Sequence, residues 1–185
     1  MKTFEKAEAL AYMPHSMEAE QAVLSAILQY NRVYDDVCDI LAPEYFYSAA
    51  TALIYATAEK MILAGIEANP VSIRERLSGS PELEAVGGWD AIWPIIKDSL
   101  VGVLGNRTYA ETVKNKWLAR KLLIASVETQ ERLTSPKGET AQEILDSLEG
   151  ELLSLSQNRA DMKTASLSDS VMEAINAAQA ASQSV

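Results

Sequence analysis

Residues 106–157 of this 185-residue chain read NRTYAETVKNKWLARKLLIASVETQERLTSPKGETAQEILDSLEGELLSLSQ, and this stretch decides the fold. Its first arm, residues 107–134, contains neither proline nor glycine and predicts about 40 Å of continuous helix at ~1.5 Å per residue. Turn-forming residues interrupt the pattern at 135–139. Thr140 and Glu143 then have the spacing of a capping box, in which each side chain accepts a hydrogen bond from the other residue's backbone N–H. The stretch therefore predicts two long helices joined by a short turn.

The second arm carries leucines at spacings of three, four and three residues, which is typical of the narrow seam between paired helices. These leucines are Leu145, Leu148, Leu152 and Leu155. Basic residues outnumber acidic ones on the first arm, whereas the second arm has acidic residues and no base. The two arms would therefore complement one another if they folded back antiparallel. We predict a helical hairpin over residues 106–157.

Composition and charge restrict the class of protein. The chain is 48% hydrophobic, which is ordinary for a globular protein and predicts a packed core. No apolar run approaches the roughly 18 residues of a membrane-spanning helix, and the N-terminus lacks a secretory segment, so we expect a soluble, cytoplasmic protein. The net charge of −10 repels phosphate. We expect little direct nucleic-acid binding, and basic partner proteins instead.

Helix-start signals recur upstream of the hairpin. The predicted N-cap residues are Ser16, Ser48, Asn69 and Ser80, the last two followed directly by proline. Residues 89–97 predict a further helix, with Trp89, Ile92, Trp93 and Ile96 directed inward. No stretch alternates convincingly with the period of a strand. The predicted fold class is all-α, with a compact multi-helix globular head, a long antiparallel helical hairpin and a separate linker helix.

The sequence offers little for catalysis. His15 is the single histidine and Cys38 the single cysteine, so one chain cannot build a metal cluster or a Ser-His-Asp triad from them. We expect a solvated or capping role for His15 and a place in the core for Cys38. Neither a phosphate loop nor a Gly-x-Gly-x-x-Gly motif occurs. This chain by itself predicts no enzyme and no cofactor site.

Two groups of charged residues are interpreted as solvated helix faces. Glu18 and Glu20 lie in the first turn after Ser16, where the helix dipole favours acidic residues. A basic cluster on the first arm could touch a nucleic-acid backbone, but a solvated face opposite the acidic second arm is the favoured interpretation. This cluster consists of Lys114, Lys116, Arg120 and Lys121.

Particular segments carry a more specific signal. Residues 14–28, PHSMEAEQAVLSAIL, closely resemble the opening helix of the N-terminal domain of replicative DNA helicases of the DnaB family. Further segments resemble the family in its own order: LAPEYFY at 41–47, LIY at 53–55, LEAVGG at 83–88, YAETVKNK at 109–116 and RKLLI at 120–124. Residues 69–73, NPVSI, depart from the family's usual Asp-Xaa-Xaa-Thr-Leu, and residues 99–107 lack its usual Thr-Pro-Ser. The RecA-like motor domain is absent, so we expect an excised N-terminal fragment.

The resemblance implies a function in DNA replication. In this family, hairpins of neighbouring subunits pair, and three such dimers form a collar above a hexameric motor. The collar binds primase, and the linker helix docks on the neighbouring subunit's motor domain and is a target of the helicase loader. ATP and magnesium belong to the motor domain. The expected function is a collar and assembly domain; the alternative is a stand-alone regulator, for example of phage origin, that mimics the helicase collar.

The resemblance also places residues in roles. The predicted subunit interface of the hairpin consists of Val113, Trp117, Ile124, Leu145, Leu148, Leu152 and Leu155. The residues predicted to dock the linker helix are Leu167, Val171 and Ile175. The predicted domain boundaries are a flexible tail over 1–13, the head over 14–105, the hairpin over 106–157, a linker over 158–167 and the linker helix over 168–185.

Overall fold

The computed structural model describes residues 13–97 and 105–156, and every regular element in these ranges is helical. The α-helices are α1 Met17–Gln29, α2 Val33–Val37, α3 Ala49–Leu63, α4 Pro70–Leu77, α5 Pro81–Ala85, α6 Gly88–Lys97, α7 Asn106–Thr134 and α8 141–156. A short 3₁₀ helix, Pro43–Tyr45, precedes α3. The predicted all-α fold class is confirmed. Among the described residues, none of the helices combines the length and the hydrophobicity that a membrane span requires.

The helices begin at the predicted caps. Ser16 Oγ accepts a hydrogen bond from the backbone N–H of Ala19, at 3.3 Å. Ser48, Asn69 and Ser80 cap α3, α4 and α5 through their side chains in the same way. Each cap satisfies a backbone donor that has no partner within the helix. These four predictions are confirmed.

Helices α1 and α3 lie side by side and run parallel. Glu20, near the start of α1, bonds to residues at the start of α3, while Asn31, just after α1, bonds to Ala68, just after α3. Val23, Ile27 and Ile54 are completely buried on these two helices and form the centre of the core. Helix α6 contacts both of them and contributes the buried Ile92.

The inward face of α6 differs from the prediction. Ile92 and Ile95 are buried, whereas Trp93 is 46% exposed and Trp89 is half-buried. Two isoleucines three residues apart define one face of a helix, and Trp93 lies on the other side of it. The predicted inward orientation of Trp93 was wrong. Trp89 and Trp93 are four residues apart and were therefore placed on the inward face together with Ile92, whereas the inward face is the one that carries Ile92 and Ile95.

The chain divides into two compact units, Met1–Ile124 and Ala125–Val185. The division falls inside the long helix α7, so the first half of this helix belongs to the same unit as the head. In the second unit, the end of α7 and the whole of α8 form a helical hairpin, since Arg132 near the end of α7 donates to Ser147 of α8 across the turn. The predicted domain boundaries stay a prediction.

Candidate interaction surfaces

The first half of α7 is held against the head by aromatic packing. The rings of Trp117 and Tyr45 lie 4.3 Å apart between centroids, and Trp117 is only 7% exposed. Val113, one turn earlier, is 1% exposed. Both residues were predicted to contact a neighbouring subunit or the second arm. The structure corrects this, because the head covers them and leaves almost no surface for another partner.

Arg120 also belongs to the head and not to a solvated basic face. Its guanidinium donates to the carbonyl oxygens of Pro14 at 2.9 Å and of Tyr45 at 2.6 Å. Arg120 is 8% exposed, and its burial lowers the pKa of its guanidinium. The negative charge of Glu20 raises that pKa and so partly offsets the effect of burial. The predicted solvated position was wrong because both carbonyl partners lie far away in the sequence.

Glu20 is the second charged residue that the structure buries. It is 1% exposed, and its carboxylate accepts from the backbone N–H of Tyr47 at 2.7 Å and from the hydroxyl of Thr51 at 2.6 Å. A longer contact of 3.5 Å joins it to the backbone nitrogen of Ser48. A carboxylate beside the N-terminus of α3 satisfies donors and complements the helix dipole. The solvated face predicted for Glu20 is therefore corrected, whereas Glu18 is exposed as predicted.

An aromatic stack of His15 and Tyr47 lies beside Glu20 and Arg120. The imidazole of His15 lies 4.2 Å from the ring of Tyr47, with an angle of 11° between the planes. The guanidinium of Arg120 lies 5.5 Å from the centre of the same ring. His15 is exposed, in agreement with its predicted solvated role. The stack joins the segment before α1, the loop before α3 and the middle of α7.

A bidentate ion pair secures the start of α7. Arg107 donates to the two carboxylate oxygens of Asp39 at 3.1 and 3.0 Å, and to the carbonyl oxygen of Asp36 at 2.6 Å.

Cys38, next to Asp39, is exposed, so its predicted place in the core was wrong. Although the residue as a whole is exposed, partial burial of its sulfur, followed by the charges of Asp39 and Asp35, raises the pKa of the Cys38 thiol. Cys38 directly follows α2. Its apolar neighbours Val37 and Ile40 are buried, whereas Cys38 lies on the outer side of the chain at this point.

The turn of the hairpin is fixed by polar side chains. Thr140 N–H donates to the carboxylate of Glu143 at 2.7 Å, and Glu143 N–H donates to Thr140 Oγ1 at 3.3 Å, which confirms the predicted capping box. Arg132 donates to both carboxylate oxygens of Glu139, at 3.0 and 2.8 Å. The hydrogen bond from Arg132 lowers the pKa of Glu139, and the bond from the Thr140 N–H lowers the pKa of Glu143.

The leucines of α8 lie on two faces of the helix. Ile144 is buried, and Leu148 and Leu155 are half-buried, so these three mark the inward stripe. Leu145 is 46% exposed and Leu152 is 41% exposed, so the predicted four-leucine seam combined residues of both faces. Leu148 follows Ile144 by four residues and Leu155 follows Leu148 by seven, and these helical spacings would have identified the inward stripe from the sequence.

Two exposed leucines of the second unit were not among the predicted interface residues. Leu133, at the end of α7, is 54% exposed, and Leu153 of α8 is 58% exposed. With Leu145 and Leu152 they form a set that we call the hairpin leucines. Ile124, the last residue of the first unit, is half-buried. The predicted docking residues of the linker helix, Leu167, Val171 and Ile175, lie outside the described residues.

The described residues contain no group of three or more histidine, cysteine, aspartate or glutamate side chains arranged to hold a metal ion. The described residues do carry exposed large apolar side chains, on a chain of net charge −10. The fold and these surfaces define the class of the protein as an all-α head-and-hairpin domain.

Comparison with known proteins identifies the family. The model of the DnaB-like helicase N-terminal domain matches residues 12–115, and the chain belongs to this family. The replicative DNA helicase DnaB of Pasteurella multocida is 30% identical over 146 residues, which cover 79% of this chain and 31% of that protein. The replicative DNA helicase DnaB of Haemophilus influenzae is 27% identical over 146 residues, with the same shares. The chain thus spans about a third of the length of these relatives.

The fold is also similar to a solved structure. The crystal structure of the N-terminal domain of DnaB helicase from Mycobacterium tuberculosis superposes with a TM-score of 0.66 at 24% sequence identity. The match covers 77% of this chain and 99% of that one. At this level of identity the likeness concerns the fold, and it includes an entire N-terminal domain.

Proposed function

We propose that this chain is the collar and assembly domain of a replicative DNA helicase. In this proposal the hairpin leucines pair with those of a second copy, three such dimers form a hexameric collar, and the collar docks primase and the helicase loader during DNA replication. ATP hydrolysis, with its magnesium, belongs to a motor domain, on which the linker helix of a neighbouring subunit docks. Membership of the DnaB-like N-terminal domain family supports this assignment.

The observation that carries the assembly step is the exposure of the hairpin leucines. All four are between 41% and 58% exposed. They lie in the second unit, on the end of α7 and on α8. Burying a leucine completely contributes about 1.5–3 kcal/mol, so covering the exposed half contributes about 1 kcal/mol for each. In a two-fold symmetric dimer every residue counts twice, because both copies use the same surface. The four leucines can therefore contribute about 8 kcal/mol before the cost of association.

Sedimentation equilibrium tests this step. We expect the 185-residue chain to self-associate, and we expect the double variant Leu145→Ser, Leu152→Ser to raise the dissociation constant at least tenfold. The matched control is Leu122→Ser, since Leu122 of α7 is 42% exposed, much like Leu145 and Leu152, but belongs to the first unit. The control should sediment like the unmodified chain.

Two results would contradict the proposal. One is a monomer at every concentration of the unmodified chain. The other is an equal loss of association in the control and in the double variant, because the effect would then not depend on the hairpin. Circular dichroism at matched concentration checks that both variants keep their helix content.

A further inference from the structure

Glu149 lies at the centre of the exposed apolar surface of α8. Residues three or four apart are neighbours on a helix, and those of Glu149 include Leu145 at i−4, Leu152 at i+3 and Leu153 at i+4. These leucines are 46%, 41% and 58% exposed, and Glu149 is exposed among them. Because one helix fixes their relative positions, three of the four hairpin leucines surround a single carboxylate.

The carboxylate of Glu149 has no partner of its own. Within the described residues it makes no hydrogen bond and no ion pair. The remaining neighbour on the helix, Asp146 at i−3, brings a further negative charge, and its carboxylate accepts from Gln142 at 2.7 Å. Glu149 is therefore solvated only while the leucines around it are open to water. A partner that covers these leucines also removes water from the charge, which is unfavourable unless the partner supplies a base.

The hairpin itself does not supply that base. Residues 125–156 contain seven Asp/Glu and two Lys/Arg, a net charge of −5. Arg132 donates to Ser147, and two residues along a helix correspond to about 200°, so Ser147 and Glu149 lie on opposite sides of α8. Lys137 lies in the turn before α8, while Glu149 is about 12 Å further along that helix than its first residue. Neither base neutralises Glu149.

A second copy of the hairpin would bring Glu149 opposite its own counterpart. In a two-fold symmetric pair the same surface of both copies takes part. If the two α8 helices run antiparallel, the register that packs Leu145 against Leu152 has its axis between residues 148 and 149. If they run parallel, each residue meets itself. In both arrangements the two Glu149 carboxylates face each other among leucines, where like charges repel more strongly than in water.

We propose that Glu149 sets the strength and the specificity of hairpin pairing. It weakens the pairing of two identical hairpins and favours a hairpin that carries a basic residue at the same position. This inference rests on the proposed collar function, because it concerns the same surface. Specificity between protein partners depends on repulsive elements as well as on attractive contacts. In coiled coils, too, a single polar residue in an apolar seam lowers stability and determines which helices pair.

The variant Glu149→Gln measures the repulsion. Glutamine keeps the size and the helix propensity of glutamate and removes its charge. In sedimentation equilibrium we expect the dissociation constant of self-association to fall about tenfold relative to the unmodified chain. The matched control is Glu128→Gln, since Glu128 is exposed in the same unit but lies on α7. The control removes the same net charge and should change the dissociation constant by less than about twofold.

Charge exchange tests the selection of the partner. Donor and acceptor dyes attached at Cys38, the single cysteine, report pairing by resonance energy transfer. Glu149→Lys alone should pair no more tightly than the unmodified chain, because two lysines then face each other. An equimolar mixture of Glu149→Lys and the unmodified chain should form mixed pairs about tenfold more tightly than either forms identical pairs. A mixture with Glu128→Lys, which has the same net charge, should show no such preference.

The outcomes separate this inference from the collar function. Self-association of the unmodified chain, with no tighter pairing of Glu149→Gln or with mixed pairs no tighter than identical ones, would overturn the inference and leave the collar function intact. If the unmodified chain and Glu149→Gln both stay monomeric at every concentration, both proposals are overturned. Circular dichroism checks that the variants at positions 128 and 149 keep the helix content of the unmodified chain.

Discussion

Replacing Glu20 tests how the head is held together. Its buried carboxylate accepts from the N–H of Tyr47 at 2.7 Å and from the hydroxyl of Thr51 at 2.6 Å. The same hydroxyl lies 2.8 Å from the carbonyl oxygen of Ser48. Thr51 can therefore donate to Ser48 if Glu20 is lost, whereas the N–H of Tyr47 has no such second acceptor within these bonds. Two substitutions, Glu20→Gln and Glu20→Met, separate the effect of charge from the effect of hydrogen bonding.

The two substitutions are expected to differ in size. Glutamine can accept from Tyr47 with its oxygen and donate to Thr51 with its amide, while Thr51 donates to Ser48. Glu20→Gln then loses the negative charge beside the N-terminus of α3 and near Arg120, which costs about 1–2 kcal/mol in a buried setting. Methionine accepts no such bond and leaves the N–H of Tyr47 unsatisfied, which adds about 1–3 kcal/mol. We therefore expect about 2–5 kcal/mol for Glu20→Met.

Urea denaturation followed by tryptophan fluorescence measures both costs, because all three tryptophans lie in the first unit. With a slope of about 2 kcal/mol per molar urea, Glu20→Met should lower the midpoint by about 1–2.5 M. The matched controls are Glu18→Gln and Glu18→Met, since Glu18 is exposed in the same helical turn. They should change the free energy of unfolding by less than about 0.5 kcal/mol. Equal effects at positions 18 and 20, or equal effects of glutamine and methionine at position 20, would refute the reasoning.

Two further predictions concern titratable groups. Arg132→Gln should raise the pKa of Glu139, because the guanidinium of Arg132 lowers that pKa in the folded chain. Since the pKa of Glu139 is lower in the folded than in the unfolded chain, the ion pair stabilises the turn at pH values above the ordinary glutamate pKa. This stabilisation is lost as the pH falls through the folded-state pKa of Glu139. Carbon-13 carboxylate shifts measured against pH check this, and an unchanged Glu139 titration contradicts it. Cys38 should react slowly with a maleimide at neutral pH and faster as the pH rises, because partial burial of its sulfur and the charges of Asp39 and Asp35 raise its pKa. Asp35→Asn should increase the rate at fixed pH, and an unchanged or lower rate contradicts the assigned cause.

The starts of the helices could be read from the sequence because capping is local. Ser16 and Ala19, or Thr140 and Glu143, are three residues apart, so the donor, the acceptor and the apolar periodicity that follows appear in one short window. The same locality explains why caps and apolar periodicity were enough to predict the all-α fold class.

The buried charged residues could not be found in this way. Glu20 bonds to Tyr47, 27 positions away, and Arg120 bonds to Pro14, 106 positions away. Within its own helix each of them has the pattern of a solvated residue, since charged side chains are rarely buried unless paired. Trp117 was similarly predicted on an interface, because nothing near it in the sequence announces the ring of Tyr45 that covers it.

The sequence by itself determined that this protein is all-helical, where its helices start, that a capped turn joins two long ones, and which family it resembles. These features depend on interactions within three or four residues and on short ordered motifs. Only the tertiary structure decided which apolar side chains remain exposed, among them the hairpin leucines, and which charged residues are buried. An amphipathic helix can rotate by a fraction of a turn and keep an equally plausible pattern, so the packed neighbour, and not the pattern, selects the inward face.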